Sequence, residues 1–190
     1  MNLIFIDTET TGLNPKKHEI IELAFAVEID GVIYCKMDLF MRPEKWDTIS
    51  EKALAVNGWT IERLRRLPEK ERGWTALINY MVREASYFKR KFMVVEHSRN
   101  GIFDCRFLKA FWDNSNFDAF FPYGKFFSPK AINTRDIAKK KLPDLKSYRL
   151  FEIDKALRIP VDEGKLHGAA YDRDLLIDVY DRLNNRAPRR

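Results

Sequence analysis

The sequence predicts an α/β domain whose sheet opens with three antiparallel strands and is flanked by helices. Three observations carry that prediction. The chain begins with a short apolar run, Met1-Asn2-Leu3-Ile4-Phe5-Ile6, rich in strand formers and followed by a loop signal at Thr10-Thr11-Gly12-Leu13-Asn14-Pro15. Two further strand-like runs, Ile20–Ile29 and Val32–Met41, meet at Asp30-Gly31, a strong hairpin signal. Beyond Pro43, segments of helical periodicity alternate with short apolar strands at Phe92–Val95 and Ala131–Asn133.

The first strand runs into Asp7-Thr8-Glu9. Side chains at i and i+2 share one face of a strand, so Asp7 and Glu9 point the same way. Burying two such charges costs several kcal/mol each unless a cation compensates them. A hard divalent ion such as Mg²⁺ or Mn²⁺ prefers carboxylate oxygen and is the natural compensator. Taken alone, an Asp-x-Glu pair is better read as a solvated strand end; two later stretches reverse that balance. Glu22, in the second strand, is read as a cross-strand or outer-face residue in preference to a further acid of the site.

The remaining elements follow in order. Ser50 caps a short helix through Val56, stopped by Asn57-Gly58. Thr60 caps another, Ile61–Leu67, stopped by Pro68. Lys70–Lys89 is a longer helix with Trp74, Leu77, Ile78, Met81, Ala85 and Phe88 at helical spacing, and Trp74 reads as core. Phe103, Phe107, Leu108 and Phe111 form one helical face, with Asp104 in the first turn. An acid there is favoured by the helix dipole, so it reads either as a helix-start residue or as a third carboxylate of the site. Residues 114–128 read as an aromatic loop containing Phe117, Phe120, Phe121, Tyr123, Phe126 and Phe127, with Lys125 inside it and Lys130 beyond. Core packing is preferred there over base stacking. Thr134 is expected to cap a helix through Lys141, whose Lys139-Lys140-Lys141 run reads as a solvated face. Ser147–Leu157 is a further helix. His167-Gly168-Ala169-Ala170-Tyr171-Asp172 then leads into an amphipathic helix with Leu175, Leu176, Val179, Tyr180 and Leu183 inward.

A chain of 190 residues fits one domain, expected over 1–185, with a basic, mobile tail at 186–190. No run approaches the roughly 20 apolar residues of a membrane span. No secretory signal precedes the first strand, and Cys35 and Cys105 form neither a disulfide framework nor a paired metal-ligand spacing. A cytoplasmic, non-secreted setting is expected. The net charge of +6 suits an anionic partner, though only weakly.

Three stretches in this order resemble the motifs of the DEDDh exonuclease family, which includes DnaQ-like proofreading subunits, RNase T and oligoribonucleases. They are Phe5-Ile6-Asp7-Thr8-Glu9-Thr10-Thr11-Gly12-Leu13, then Asn100-Gly101-Ile102-Phe103-Asp104 with Phe107-Leu108, then the His167–Asp172 stretch. A histidine five residues before the last acid is similar to the histidine branch of the family. The resemblance implies an RNase H-like mixed sheet and 3′→5′ release of nucleoside 5′-monophosphates from DNA or RNA. It implies that Asp7, Glu9, Asp104 and Asp172 hold two divalent cations, Mg²⁺ or Mn²⁺, with His167 as general base. It places Thr8, Thr10, Leu13, Val56, Asn57, Asn100 and Phe103 against the 3′-terminal nucleotide. The implied partner is a single-stranded nucleic acid with a free 3′ end, with no membrane; a polymerase or other replication or repair partner stays open.

The chemistry agrees with that assignment independently. Phosphodiester hydrolysis needs a nucleophile and a stabilised leaving oxyanion, and two cations can supply both. An imidazole can take the proton of water near neutral pH. Two departures bear on substrate grip: Arg99-Asn100 stands where the family often has His-Asn, with His97 two positions before Arg99, and Asn57 replaces a usual histidine. The competing reading is a catalytically silent nucleic-acid-binding or partner-binding relative, which the loss of a motif acid would favour. All four acids are present, with His167.

Overall fold

The computed structural model describes residues 2–88, 91–99, 101–115 and 119–187. Strands β1 (Asn2–Thr10), β2 (Ile20–Ile29), β3 (Val32–Phe40), β4 (Phe92–Glu96) and β5 (Phe127–Asn133) form one sheet in the order β3-β2-β1-β4-β5. β1, β2 and β3 pair antiparallel, as expected. β4 joins β1 in parallel, and β5 joins β4 in parallel. The helices are α1 (Glu51–Asn57), α2 (Ile61–Arg65), α3 (Lys70–Phe88), α4 (Phe103–Asp113), α5 (Tyr123–Phe126), α6 (Thr134–Lys141), α7 (Leu150–Ala156) and α8 (Ala169–Leu183). Among the described residues no helix is long and apolar enough to cross a membrane.

Strand parity sorts the core into two layers. Ile4 and Ile6, with their β2 partners Val27 and Phe25, face a cluster built from α3, α4 and α5, including Trp74, Phe107, Trp112 and Phe126. Leu3, Phe5 and Ala26 face the other way, onto Leu176, Ile177 and Tyr180 of α8. Small residues on that face of β2, Ala24 and Ala26, let α8 lie close to the sheet. Behind α8, α6 and α7 close a third cluster around Ala138, Ile153 and Val179.

Caps at Ser50 and Thr60 are as expected, accepting from the Ala53 and Arg63 amides, and Gly58 takes the left-handed φ of 69° that ends α1. Several boundaries differ. β1 continues to Thr10, because its backbone stays paired with β2 past the acids, so Asp7 and Glu9 lie inside the strand. Residues 114–128 are not a continuous loop: Tyr123–Phe126 is a helical turn and β5 begins at Phe127. Their aromatics explain this, since Tyr123, Phe126 and Phe127 are buried around Trp112, while Phe120 is exposed and Phe117 lies outside the described residues. Asn133, not Thr134, caps α6; Thr134 is buried, and its hydroxyl reaches the Glu96 carbonyl and His97. Arg186 of the expected mobile tail is anchored, donating to both oxygens of buried Glu28 at 3.0 Å. Residues 188–190 lie outside the described residues.

Candidate active site

The parity that sorts the core also sorts the acids. Asp7 and Glu9 continue the Leu3–Phe5 face and so look toward α8. Asp172 sits in the first turn of α8. One carboxylate oxygen from each of Asp7, Glu9 and Asp172 lies within 4.8 Å of the others. Thr8 faces the opposite layer, and there it meets Asp104 from the first turn of α4. The Thr8 amide and hydroxyl both donate to Asp104 Oδ1, at 3.1 and 2.6 Å. Asp104 therefore reaches the end of the strand from the far layer, tied to the residue between Asp7 and Glu9. It is outside the tight group of three, yet its charge acts on both.

The electrostatics are those of a crowded anionic site. Burial, with the charges of Asp104, Asp172, Glu9 and Glu22, holds the Asp7 carboxyl well above its ordinary range. Burial and then Glu22, Asp172 and Asp104 push Glu9 up to about 8. Burial and then Glu96 push Asp104 to about 8, against the pull of its Thr8 bonds. Burial takes Asp172 to about 6, opposed by the charge and the backbone N–H of His167. Asp172 Oδ1 is buried without a hydrogen-bond partner among the described residues. An orphaned oxygen facing two raised carboxyls is what an oxygen-preferring divalent cation would satisfy, so the donor set fits Mg²⁺ or Mn²⁺.

His167 is exposed, precedes α8, and bonds its N–H to Asp172. Its φ of 66° is uncommon for a non-glycine residue, and its charge acts on Asp172. Of the residues expected to contact a terminal nucleotide, Leu13 and Val56 are the exposed ones, at 81% and 64%. Thr8, Thr10 and Asn57 are buried and engaged: Thr10 Oγ1 donates to the Gly12 carbonyl, and Asn57 Nδ2 donates to the Thr10 carbonyl at 3.2 Å and bonds Glu9. Phe103 is partly buried, its ring 4.9 Å from Phe107. Asn100 lies outside the described residues. His97 is not at the acids: its ring bonds Thr134 and the Tyr148 carbonyl, and burial lowers it to about 4.

Three further buried acids lie near the site, of which sequence singled out only Glu22, as a cross-strand or outer-face residue. It is the former: it pairs with Glu9 across the strands and is buried against the start of α8. Glu96 ends β4, fully buried. Asp154 of α7 is fully buried, and burial, then Asp178 and Asp172, push it to about 8. The signal for the first two was a carboxylate inside or ending an otherwise apolar strand.

Residues 4–180 match the RNase T exonuclease family. The chain belongs to that family. It is 30% identical over 178 residues to the PolC-type DNA polymerase III of Mycoplasmopsis pulmonis, which covers 93% of this chain and 11% of the polymerase. The PolC-type polymerase of Oceanobacillus iheyensis is 27% identical over 171 residues, 90% of this chain and 10% of that protein. The chain thus spans about a tenth of the length of these polymerases. Among solved structures, the nuclease domain of 3′hExo, a DEDDh family member bound to rAMP, superposes with a TM-score of 0.70 at 19% identity, covering 97% of this chain and 92% of that one. Exonuclease X in complex with 5′-overhanging duplex DNA gives a TM-score of 0.61 at 26% identity, covering 96% and 92%. The mixed sheet is that of the RNase H-like exonucleases, and exonucleases of the DEDDh type use divalent metal ions.

Proposed function

We propose that this protein is a metal-dependent 3′→5′ exonuclease that releases nucleoside 5′-monophosphates from a single-stranded 3′ end. The observation that carries the reading is the meeting of Asp7, Glu9 and Asp172 on the α8 face, with Asp104 held against the same strand by Thr8. Asp7, Glu9, Asp104 and Asp172 would hold two divalent cations, Mg²⁺ or Mn²⁺. Those ions would supply Lewis acidity and neutralise charge at the phosphate. His167 takes the proton of the attacking water, and its backbone N–H, bonded to Asp172, ties the residue to the acids. Leu13 and Val56 offer apolar surface for the terminal nucleotide, while Asn57 braces the strand end beneath them. The polymerase relatives favour DNA as substrate, in a replication or repair setting.

The test is degradation of matched DNA and RNA oligonucleotides labelled at either end, with Mg²⁺ and then with EDTA. Mononucleotides should leave the 3′ end only with metal, and Asp7→Asn should abolish the reaction. Cleavage in EDTA, release from the 5′ end, or an active Asp7→Asn protein would overturn the reading.

A further inference from the structure

The two helices that present acids to β1 begin without help from their own side chains. Neither α4 nor α8 has a side-chain cap at its N-terminus. The first amides of a helix still need acceptors. The α4 amides find one at a strand end, and the α8 amides begin beside a second strand carboxylate. Glu96, at the end of β4, accepts from the Phe103 amide at 2.9 Å through Oε1 and from the Cys105 amide at 2.8 Å through Oε2. The Ser98 hydroxyl adds a third bond at 2.7 Å. Glu22, on β2 opposite Glu9, is buried beside the start of α8, where the Ala169 and Ala170 amides and the Trp59 side chain favour its charged form.

We infer, resting on the exonuclease reading above, that Glu96 and Glu22 are positioning residues which cap α4 and α8 from the sheet and so set Asp104, Asp172 and His167 against β1. The placement is specific. The amides held by Glu96 flank Asp104 on both sides, and those beside Glu22 lie between His167 and Asp172. A carboxylate is also the group a helix N-terminus attracts most. Both Glu96 oxygens are occupied by backbone donors, which marks it as a support and not a ligand. Metal sites tolerate about 0.5 Å of misplacement, so a rotation of either helix about its axis would spoil the set.

The experiment compares wild type, Glu96→Gln, Glu22→Gln and, as a cap loss on a helix bearing no site acid, Thr60→Ala. Each is measured for Mn²⁺ binding by calorimetry, for kcat and KM on a short oligonucleotide with Mg²⁺, and for Tm. Glutamine keeps the shape but sets an amide N–H₂ against N–H donors. Each glutamine variant should lose roughly tenfold or more in Mn²⁺ affinity and in kcat, as partners that support ligands commonly do, with KM little changed. Thr60→Ala should lower Tm and move neither. A folded glutamine variant with wild-type Mn²⁺ affinity and kcat would overturn the inference. If Glu96→Gln does not fold, Ser98→Ala removes one of its three donors and should give a smaller loss in the same direction; no loss would again overturn it. Wild-type protein that binds no Mn²⁺ would sink the exonuclease reading itself, and this one with it.

Discussion

The metal-free protein should become less stable as pH rises, and divalent metal should cancel that loss. Glu9 moves from an ordinary value of 4.5 in the unfolded chain to about 8 in the fold, through burial and its acidic neighbours. Between those values the unfolded chain has shed a proton that the folded chain keeps. The unfolded state binds fewer protons, so unfolding becomes easier with increasing pH across that window. At about 1.4 kcal/mol per unit, the Glu9 shift alone has a ceiling of about 5 kcal/mol. Solvent screening at this partly open site reduces it to about 2–3 kcal/mol. For a domain of this size that is a fall in Tm of roughly 5–10 °C between pH 5 and pH 8. The assay is thermal unfolding in EDTA across that range, repeated with millimolar Mg²⁺. Metal binds only the folded acids, so it should raise Tm most at pH 8 and flatten the slope. Glu9→Gln should raise Tm at pH 8 in EDTA, by removing a repelling charge, while abolishing both activity and the metal response. A Tm in EDTA that is flat or rises toward pH 8, or a slope untouched by Mg²⁺, would refute the picture of a site held together by cations.

Other outcomes follow from single groups. His167→Ala should slow hydrolysis roughly a hundredfold, as loss of a general base does, while calorimetry shows Mn²⁺ binding intact; an equal loss of metal affinity would make His167 a ligand. Leu13→Ala should raise KM with little change in kcat, measured on a short single strand, because its exposed side chain can only grip substrate. Lys70→Met should lower stability by about 3–5 kcal/mol, read as a lower Tm, since it takes away the cation that buried Glu19 Oε1 meets at 2.6 Å. Combining it with Glu19→Gln should recover part of that loss.

Much of this molecule is visible in the sequence because its signals are local. An apolar run ending in Asp-x-Glu, a hairpin dipeptide and two helical faces are each readable within about a dozen residues. Alternation along β1 even orients Asp7 and Glu9 together, as the structure bears out. What is not local is the layer from which each partner arrives. The sequence places Asp104 in the first turn of a helix, but only packing of Phe107, Phe111 and Trp112 against the Ile4–Ile6 face puts α4 opposite α8. That is why Asp104 approaches through Thr8 instead of joining the tight group.

The same reasoning explains Glu22. Alternation leaves it two places, across from a neighbouring strand's residue or on an outer face, and the structure shows the first, opposite Glu9. The sheet, however, is covered on both sides, so no outer face exists at that point. In a doubly covered sheet every carboxylate within a strand must find either a cation or donors from the backbone. Asp7 and Glu9 are raised by burial and then by their acidic neighbours, which suits a metal. Glu96 and Glu28 have theirs in full, from helix amides in one case and from Arg186 in the other. Glu22 stands between, its charge favoured by two helix amides and an indole yet close enough to Glu9 to raise it, and so lies where the metal-facing acids meet the frame around them.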